Sequence, residues 1–191
     1  MARPLVLAST SPRRVQLLRE AGHAFAVVSP EVEEAHDPSL GCEALTMENA
    51  RRKAVAGSRL APEALVIGAD TLVYIDQFPL SKPKDMEEAR VMLRRLSGRT
   101  HEVCTGVALA WNGGNDAETF AVITHVTFRH LDEPVIRAYH ALVHVLDKAG
   151  GYAAQEHGDV IIERMEGSLS NVIGLPMEVL EEHLTRWQQA G

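Results

Sequence analysis

Apolar and polar positions along this chain switch repeatedly between two periods. Leu5, Val6 and Leu7 form a short apolar run. After the hydroxyl residues Ser9, Thr10 and Ser11, a helical spacing takes over at Val15, Leu17 and Leu18, and Gly22 stops it after Ala21. Phe25–Val28 reads as a short strand closed by Ser29-Pro30, and an acidic loop, Glu31-Val32-Glu33-Glu34, runs on to Pro38. A helix is predicted over Glu43–Leu60. Leu65–Ala69 then reads as a buried strand leading into Asp70-Thr71 and extended again over Leu72–Ile75. Asp76–Lys84, with two prolines, reads as a loop, and Asp85 caps an amphipathic helix that runs to Leu96. Two long extended segments, His101–Trp111 and Glu118–Leu131, flank Asn112-Gly113-Gly114-Asn115, a strong hairpin signal. Val122, Thr124, Val126 and Phe128 share one face at period two. Glu133–Val145 reads as a helix, Gly150-Gly151 as a turn and Val160–Glu163 as a strand. Glu166–Asn171 reads as a polar loop, with a final helix from about Pro176. With βα units at both ends and an antiparallel hairpin between them, the pattern predicts an α/β fold with a mixed sheet, as a single domain over residues 1–191.

The start of the first helix is unusual. Ser11 suits the N-cap and Pro12 the first helical position, yet Arg13 and Arg14 follow in a turn where the helix dipole is already positive. Two cations there raise the energy of the chain unless something negative lies beside them. A strand, a hydroxyl loop and a helix N-terminus together suit a phosphate chain held by N–H groups, hydroxyls and guanidinium forks.

Composition narrows the classes. Of the 191 residues, 46% are hydrophobic and 24% charged, ordinary for a globular protein. A net charge of −7 leaves no spare positive field for a nucleic-acid polymer, and aromatics at 5% leave little for base stacking along a single strand. Cys42 and Cys104 are the two cysteines, too few for a disulfide framework and without zinc spacing, so a reducing, cytoplasmic compartment is expected. The N-terminal apolar run is too short for a signal-peptide core, and no run is long enough to span a membrane.

Asp70 stands at the end of an apolar strand, the position that lines the binding crevice in open α/β sheets. Glu34 lies in the acidic loop after another strand. Two carboxylates brought together repel each other, which Mg²⁺ or Mn²⁺ relieves through hard oxygen ligation. Lys53 in the second helix and Lys82 in the stiffened Ser81-Lys82-Pro83 loop add cations that, with Arg13 and Arg14, neutralise a triphosphate. His140 and His144 have the i,i+4 spacing of a metal pair on a predicted helix, but without the accompanying glutamate or an evident third ligand. No Gly-x-x-x-x-Gly-Lys-Ser/Thr loop and no Gly-x-Ser-x-Gly elbow occur, so P-loop and serine-hydrolase chemistry fit poorly.

These pieces fall in a characteristic order: Leu7–Arg14, Glu34, Lys53-Ala54, Gly68-Ala69-Asp70-Thr71, Lys82-Pro83, Leu96–Val103, Thr105-Gly106-Val107, Asp147–Tyr152, Gln155 and Asn171–Pro176. In that order and spacing the chain resembles the Maf family of nucleoside triphosphate pyrophosphatases. The resemblance implies a two-lobed Maf/ITPase-like α/β fold with the site in the cleft, a divalent cation, often a homodimer, and cleavage of a small-molecule nucleoside triphosphate to monophosphate and pyrophosphate. It implies phosphate contacts from Ser9, Ser11, Arg13 and Arg14, with Lys53 and Lys82. Glu34 and Asp70 become metal-binding carboxylates, Asp70 also activating water. Thr71 and Gln155, with Arg13, become readers of a pyrimidine base, as in the dTTP/UTP-preferring branch. Thr71 counts against the branch acting on 7-methyl-GTP. A nucleotide-binding regulator of division or septation, with hydrolysis secondary, is the alternative of another class. The chain departs from the family pattern at Val143–Leu146, Leu169, His125 and Ala154.

Overall fold

The computed structural model describes residues 3–37 and 39–190; Pro38, the expected end of the acidic loop, lies outside the described residues. One seven-stranded mixed sheet forms the frame, in the order β2-β1-β3-β5-β6-β7, with β4 paired to β3 off that path. β1 (Leu5–Leu7) lies parallel to both β2 (Phe25–Val27) and β3 (Leu65–Ile75). From β3 onward the sheet is antiparallel through β5 (Thr100–Trp111), β6 (Asp116–Phe128) and β7 (Ile162–Glu166). The helices are α1 (Pro12–Glu20), α2 (Cys42–Leu60), α3 (Met86–Leu96), α4 (Glu133–Leu142), the short α5 (Gly158–Ile161) and α6 (Leu169–Ile173), and α7 (Met177–Ala190). The expected α/β fold, mixed sheet and central hairpin are all present.

Four local expectations are corrected. Within the predicted 76–84 loop, Phe78–Leu80 forms β4, because Asp76 and Gln77 both take positive φ (54° and 65°) and close a two-residue hairpin with Val73–Ile75. The helix expected to reach Val145 ends at Leu142. Val143 turns extended, and it and Val145 are buried in the core instead, so His144 leaves the helix and the His140/His144 metal spacing is lost. The strand expected at Val160–Glu163 is displaced to Ile162–Glu166, after the turn of α5. The predicted polar loop holds the start of α6, capped by the Ser168 hydroxyl accepting from Asn171 N–H.

Long β3 belongs to two cores. Its first half packs with Leu7, Leu18, Leu109, Leu175, Leu180 and Leu184 from β1, α1, β5, the α6–α7 connection and α7. Its second half packs with Leu93, Leu96, Phe128, Ile136, Tyr139 and Ile161 from α3, β6, α4 and α5. Between them one edge of β3 is open: β1 pairs with residues 65–67, β4 pairs with 73–75, and β5 covers the other edge from Val66 to Tyr74. Asp70 and Thr71 sit in that gap. Their side chains alternate to opposite faces of the strand.

Candidate active site

The open edge of β3 is the wall of a cleft made of two adjoining cavities of about 360 and 380 Å³. Both share Ser11, Arg13, Arg14, Glu34, Lys53, Lys82 and Asp147. One end is polar, built from Ser9, Thr10, Ser29 and Pro30 where β1 and β2 end. The other end is mainly apolar, with Leu72, Val103, Tyr152, Ala153 and Ile173 around Thr71 and Gln155. Every residue that the family resemblance assigns to the site therefore lines one connected cleft, whereas His140 and His144 lie outside it.

On one face of β3, α2 lies directly on the sheet backbone. A Cβ at Gly68 would stand 2.3 Å from the Ala50 carbonyl oxygen, and one at Gly106 2.3 Å from the Thr46 carbonyl carbon, so only glycine fits at either position. That close approach lets Asn49 and Lys53, one helical turn apart, reach Asp70. Lys53 Nζ donates to Asp70 Oδ1 at 2.8 Å and lies 2.6 Å from Glu34 Oε1. Asp70 is buried and Glu34 exposed, so the two carboxylates converge from the floor and the rim onto one ammonium.

Asn49, 2% exposed, was not foreseen. Its Nδ2 donates to Asp70 Oδ2 at 3.2 Å and to the Ala35 carbonyl at 3.3 Å, and its Oδ1 accepts from Ala35 N–H at 2.7 Å. One buried amide thus ties the Glu34 loop to Asp70. An asparagine on a helix face otherwise rich in alanine was the available signal.

The two arginines are partnered within the protein. Arg13 Nη1 donates to Asp147 Oδ2 at 2.6 Å and Nη2 to the Asp147 carbonyl at 3.3 Å, a bridge across the cleft between residues 134 apart. Lys148 Nζ donates to the other Asp147 oxygen at 3.0 Å. Burial works to raise the Asp147 pKa, but the Lys148 and Arg13 hydrogen bonds outweigh it and hold the carboxyl down at about 2. Arg14 Nε donates to the Gly174 carbonyl at 2.8 Å, Nη1 to Ser9 Oγ at 3.3 Å and Nη2 to Thr71 Oγ1 at 3.0 Å. Burial pushes the Arg14 guanidinium below its ordinary value, with Asp70 pulling the other way. Ser11 occupies the N-cap position without a side-chain capping bond and lines the cleft. Lys82 is exposed at the rim and Gln155 is exposed at the apolar end.

Beneath the apolar end, Tyr152 rests on His101, whose Nε2 lies 2.8 Å from the phenol oxygen. Both rings meet Phe128 edge-on at under 5 Å, with centroid separations of 4.8 Å for His101 and 4.9 Å for Tyr152. His101 is 2% exposed, and burial holds its pKa down at about 3.

A hydroxyl loop leading from β1 into the two arginines of α1, and a carboxylate pair closed on a lysine by α2, occur here in the order that the sequence motifs required. The family model described as Maf-like protein matches residues 4–187. The chain belongs to the Maf family. It is 51% identical over 177 residues, 93% of each chain, to the dTTP/UTP pyrophosphatase of Akkermansia muciniphila. It is 46% identical over 191 residues to that of Desulfitobacterium hafniense, covering 97% of this chain and 86% of the relative. It is 43% identical over 188 residues to that of Vibrio cholerae, covering 96% and 97%. Among the described residues no helix of this Maf protein is long and apolar enough to cross a membrane.

Proposed function

We propose that this Maf protein is a nucleoside triphosphate pyrophosphatase that cleaves dTTP and UTP to the monophosphate and pyrophosphate, acting as one domain in the cytoplasm. The observation that carries the reading is the convergence of Asp70 and Glu34 on Lys53 between a cation-lined end and an apolar end of one cleft. A triphosphate fits the first end and a planar base the second. The names of the relatives support the same substrates.

Asp70 and Glu34 offer hard oxygen donors meeting at one point, and among the described residues no third His, Cys, Asp or Glu completes a protein-only metal cage. That donor set suits Mg²⁺ or Mn²⁺, which are commonly held by one or two carboxylates together with substrate phosphates. When bound, the cation supplies charge neutralisation for the phosphates and the leaving pyrophosphate. Asp70 accepts a proton from the attacking water, its carboxylate oriented by Lys53 at one oxygen and Asn49 at the other. Ser9, Ser11, Arg13, Arg14 and Lys82 bind phosphate oxygens, and Lys53 stabilises charge as the α–β bond breaks. Thr71, Gln155 and Arg13 act on the base.

The test is pyrophosphate release from dTTP, UTP, CTP, GTP and 7-methyl-GTP with Mg²⁺ or Mn²⁺. Release from dTTP and UTP is the expected result. Tight binding without turnover would replace the enzyme reading by that of a nucleotide-binding regulator, and orthophosphate as the only product would make the protein a phosphatase. Sedimentation of the purified chain tests the homodimer that the family resemblance implies.

A further inference from the structure

Thr71 touches three groups besides the cleft. Its Oγ1 accepts from Arg14 Nη2 at 3.0 Å, lies 2.9 Å from Thr105 Oγ1, and lies 3.5 Å from the Gly174 carbonyl. Thr105 is fully buried, and its hydroxyl donates to the Asn171 carbonyl at 3.0 Å. Carbonyl oxygens only accept, so the single Thr105 proton is committed to Asn171. The 2.9 Å contact between the threonines then needs the Thr71 proton, since two oxygens that close without a hydrogen between them repel. The one other place for that proton inside the protein is the longer contact with Gly174. At 3.5 Å that contact is outside the usual range of an O–H···O bond, so it is Thr105 that keeps the Thr71 proton turned into the protein. With one lone pair taken by Arg14, Thr71 is left with one acceptor lone pair and no donor.

Ser9, at the opposite end of the same guanidinium, has the reverse polarity. Its Oγ accepts from Ser11 N–H and from Arg14 Nη1, both at 3.3 Å, so its lone pairs are engaged and its proton remains available. Arg14 takes one lone pair on each hydroxyl; at the polar end Ser11 N–H takes the second and leaves Ser9 a free proton, whereas at the apolar end Thr105 takes the proton and leaves Thr71 a lone pair.

We propose that Thr105 is a specificity-determining positioning residue: by way of the Asn171 carbonyl it fixes Thr71 as an acceptor-only group that selects a base carrying a ring N–H. Uracil and thymine present N3–H; cytosine presents a bare N3 acceptor at the same place and meets a lone pair. The inference rests on the pyrophosphatase reading above, with the base at the apolar end.

Thr105→Val removes the acceptor that holds the Thr71 proton at little cost in volume, and Thr105→Ser restores it. Pyrophosphate release from UTP and CTP is compared for all three proteins. The wild type and Thr105→Ser should prefer UTP over CTP in kcat/KM by about 10-fold or more, the scale of one mismatched hydrogen bond, and Thr105→Val should lose most of that preference by gaining on CTP. Thr105→Val with turnover and an unchanged UTP/CTP ratio overturns the proposal. Inhibition of the wild type by UMP and CMP reads the same polarity without any variant: UMP should bind about 10-fold tighter, and equal inhibition overturns it. Absence of pyrophosphate from every nucleotide marks instead the failure of the pyrophosphatase reading itself.

Discussion

His101 makes the stability of this protein depend on pH in a calculable way. Its ring is buried under Tyr152 and Phe128, and Nδ1 has no hydrogen-bond partner, so protonation would place a charge and an N–H where nothing accepts them. The folded-state pKa is about 3, against about 6.5 in an unfolded chain. Between those values the unfolded state binds a proton that the folded state refuses, so stability falls as pH drops below about 6.5 and stops falling from this source near pH 3. At about 1.4 kcal/mol per pH unit, the loss between pH 6.5 and pH 5 is about 2 kcal/mol. Urea denaturation of the wild type and of His101→Gln at pH 7 and pH 5 isolates this contribution from the other histidines. The variant starts less stable, because it loses the ring contacts, but its stability should drop by about 2 kcal/mol less between the two pH values. Equal drops in the two proteins would refute the reasoning, as would a His101 ring resonance that titrates near pH 6.5 in the folded protein.

Other substitutions test the site directly. Asp70→Asn keeps the shape of the side chain and should lower kcat for pyrophosphate release by about 10³-fold, the scale of a lost general base, with the circular dichroism spectrum unchanged. Near-normal turnover would remove Asp70 from its role. Asn49→Ala frees the Glu34 loop from Asp70 and should cost about 1–3 kcal/mol of stability, while raising the Mn²⁺ concentration that gives half-maximal rate. A variant that loses stability with an unchanged Mn²⁺ dependence would make Asn49 a purely structural residue. Asp147, held at about 2 by Lys148 and Arg13, contributes stability that is complete above its unfolded pKa near 4 and is lost as pH falls through about 2. Acid unfolding of Asp147→Asn should lack that leg, and an identical acid transition would show that the bridge to Arg13 contributes nothing.

Much of the frame is legible in the sequence because it is written in local patterns. The apolar run before Ser9, the Pro12 start of α1, the Asn112–Asn115 turn and the alternation along β6 each act over a few residues. Asp70 at the end of an apolar run was legible for the same reason. β4 was hidden because Asp76-Gln77 takes the positive φ values of a two-residue hairpin without the glycine or asparagine that usually announces one. The end of α4 was hidden because burial of Val143 and Val145 in the core overrides helical periodicity. Asn49, Thr105, His101 and Asp147 act through partners 14 to 134 residues away, and spacing along the chain carries no record of such contacts.

The paired arginines show what that missing record changes. Read locally, Arg13 and Arg14 suit an external anion at an already positive helix start. In the folded chain Arg13 has Asp147, Arg14 has Ser9, Thr71 and the Gly174 carbonyl, and Lys53 has Asp70 and Glu34. The cations are therefore held apart and oriented by the protein itself. On the proposed reading, a triphosphate entering the cleft would exchange partners with Asp147 and the carboxylates rather than simply add charge, so its affinity would be a difference between two sets of charge-assisted bonds. Arg14 gains least from that exchange, because its contacts are to a carbonyl and two hydroxyls rather than to a carboxylate. Its fixed guanidinium instead ties Ser9 at the polar end of the cleft to Thr71 at the apolar end along a single side chain.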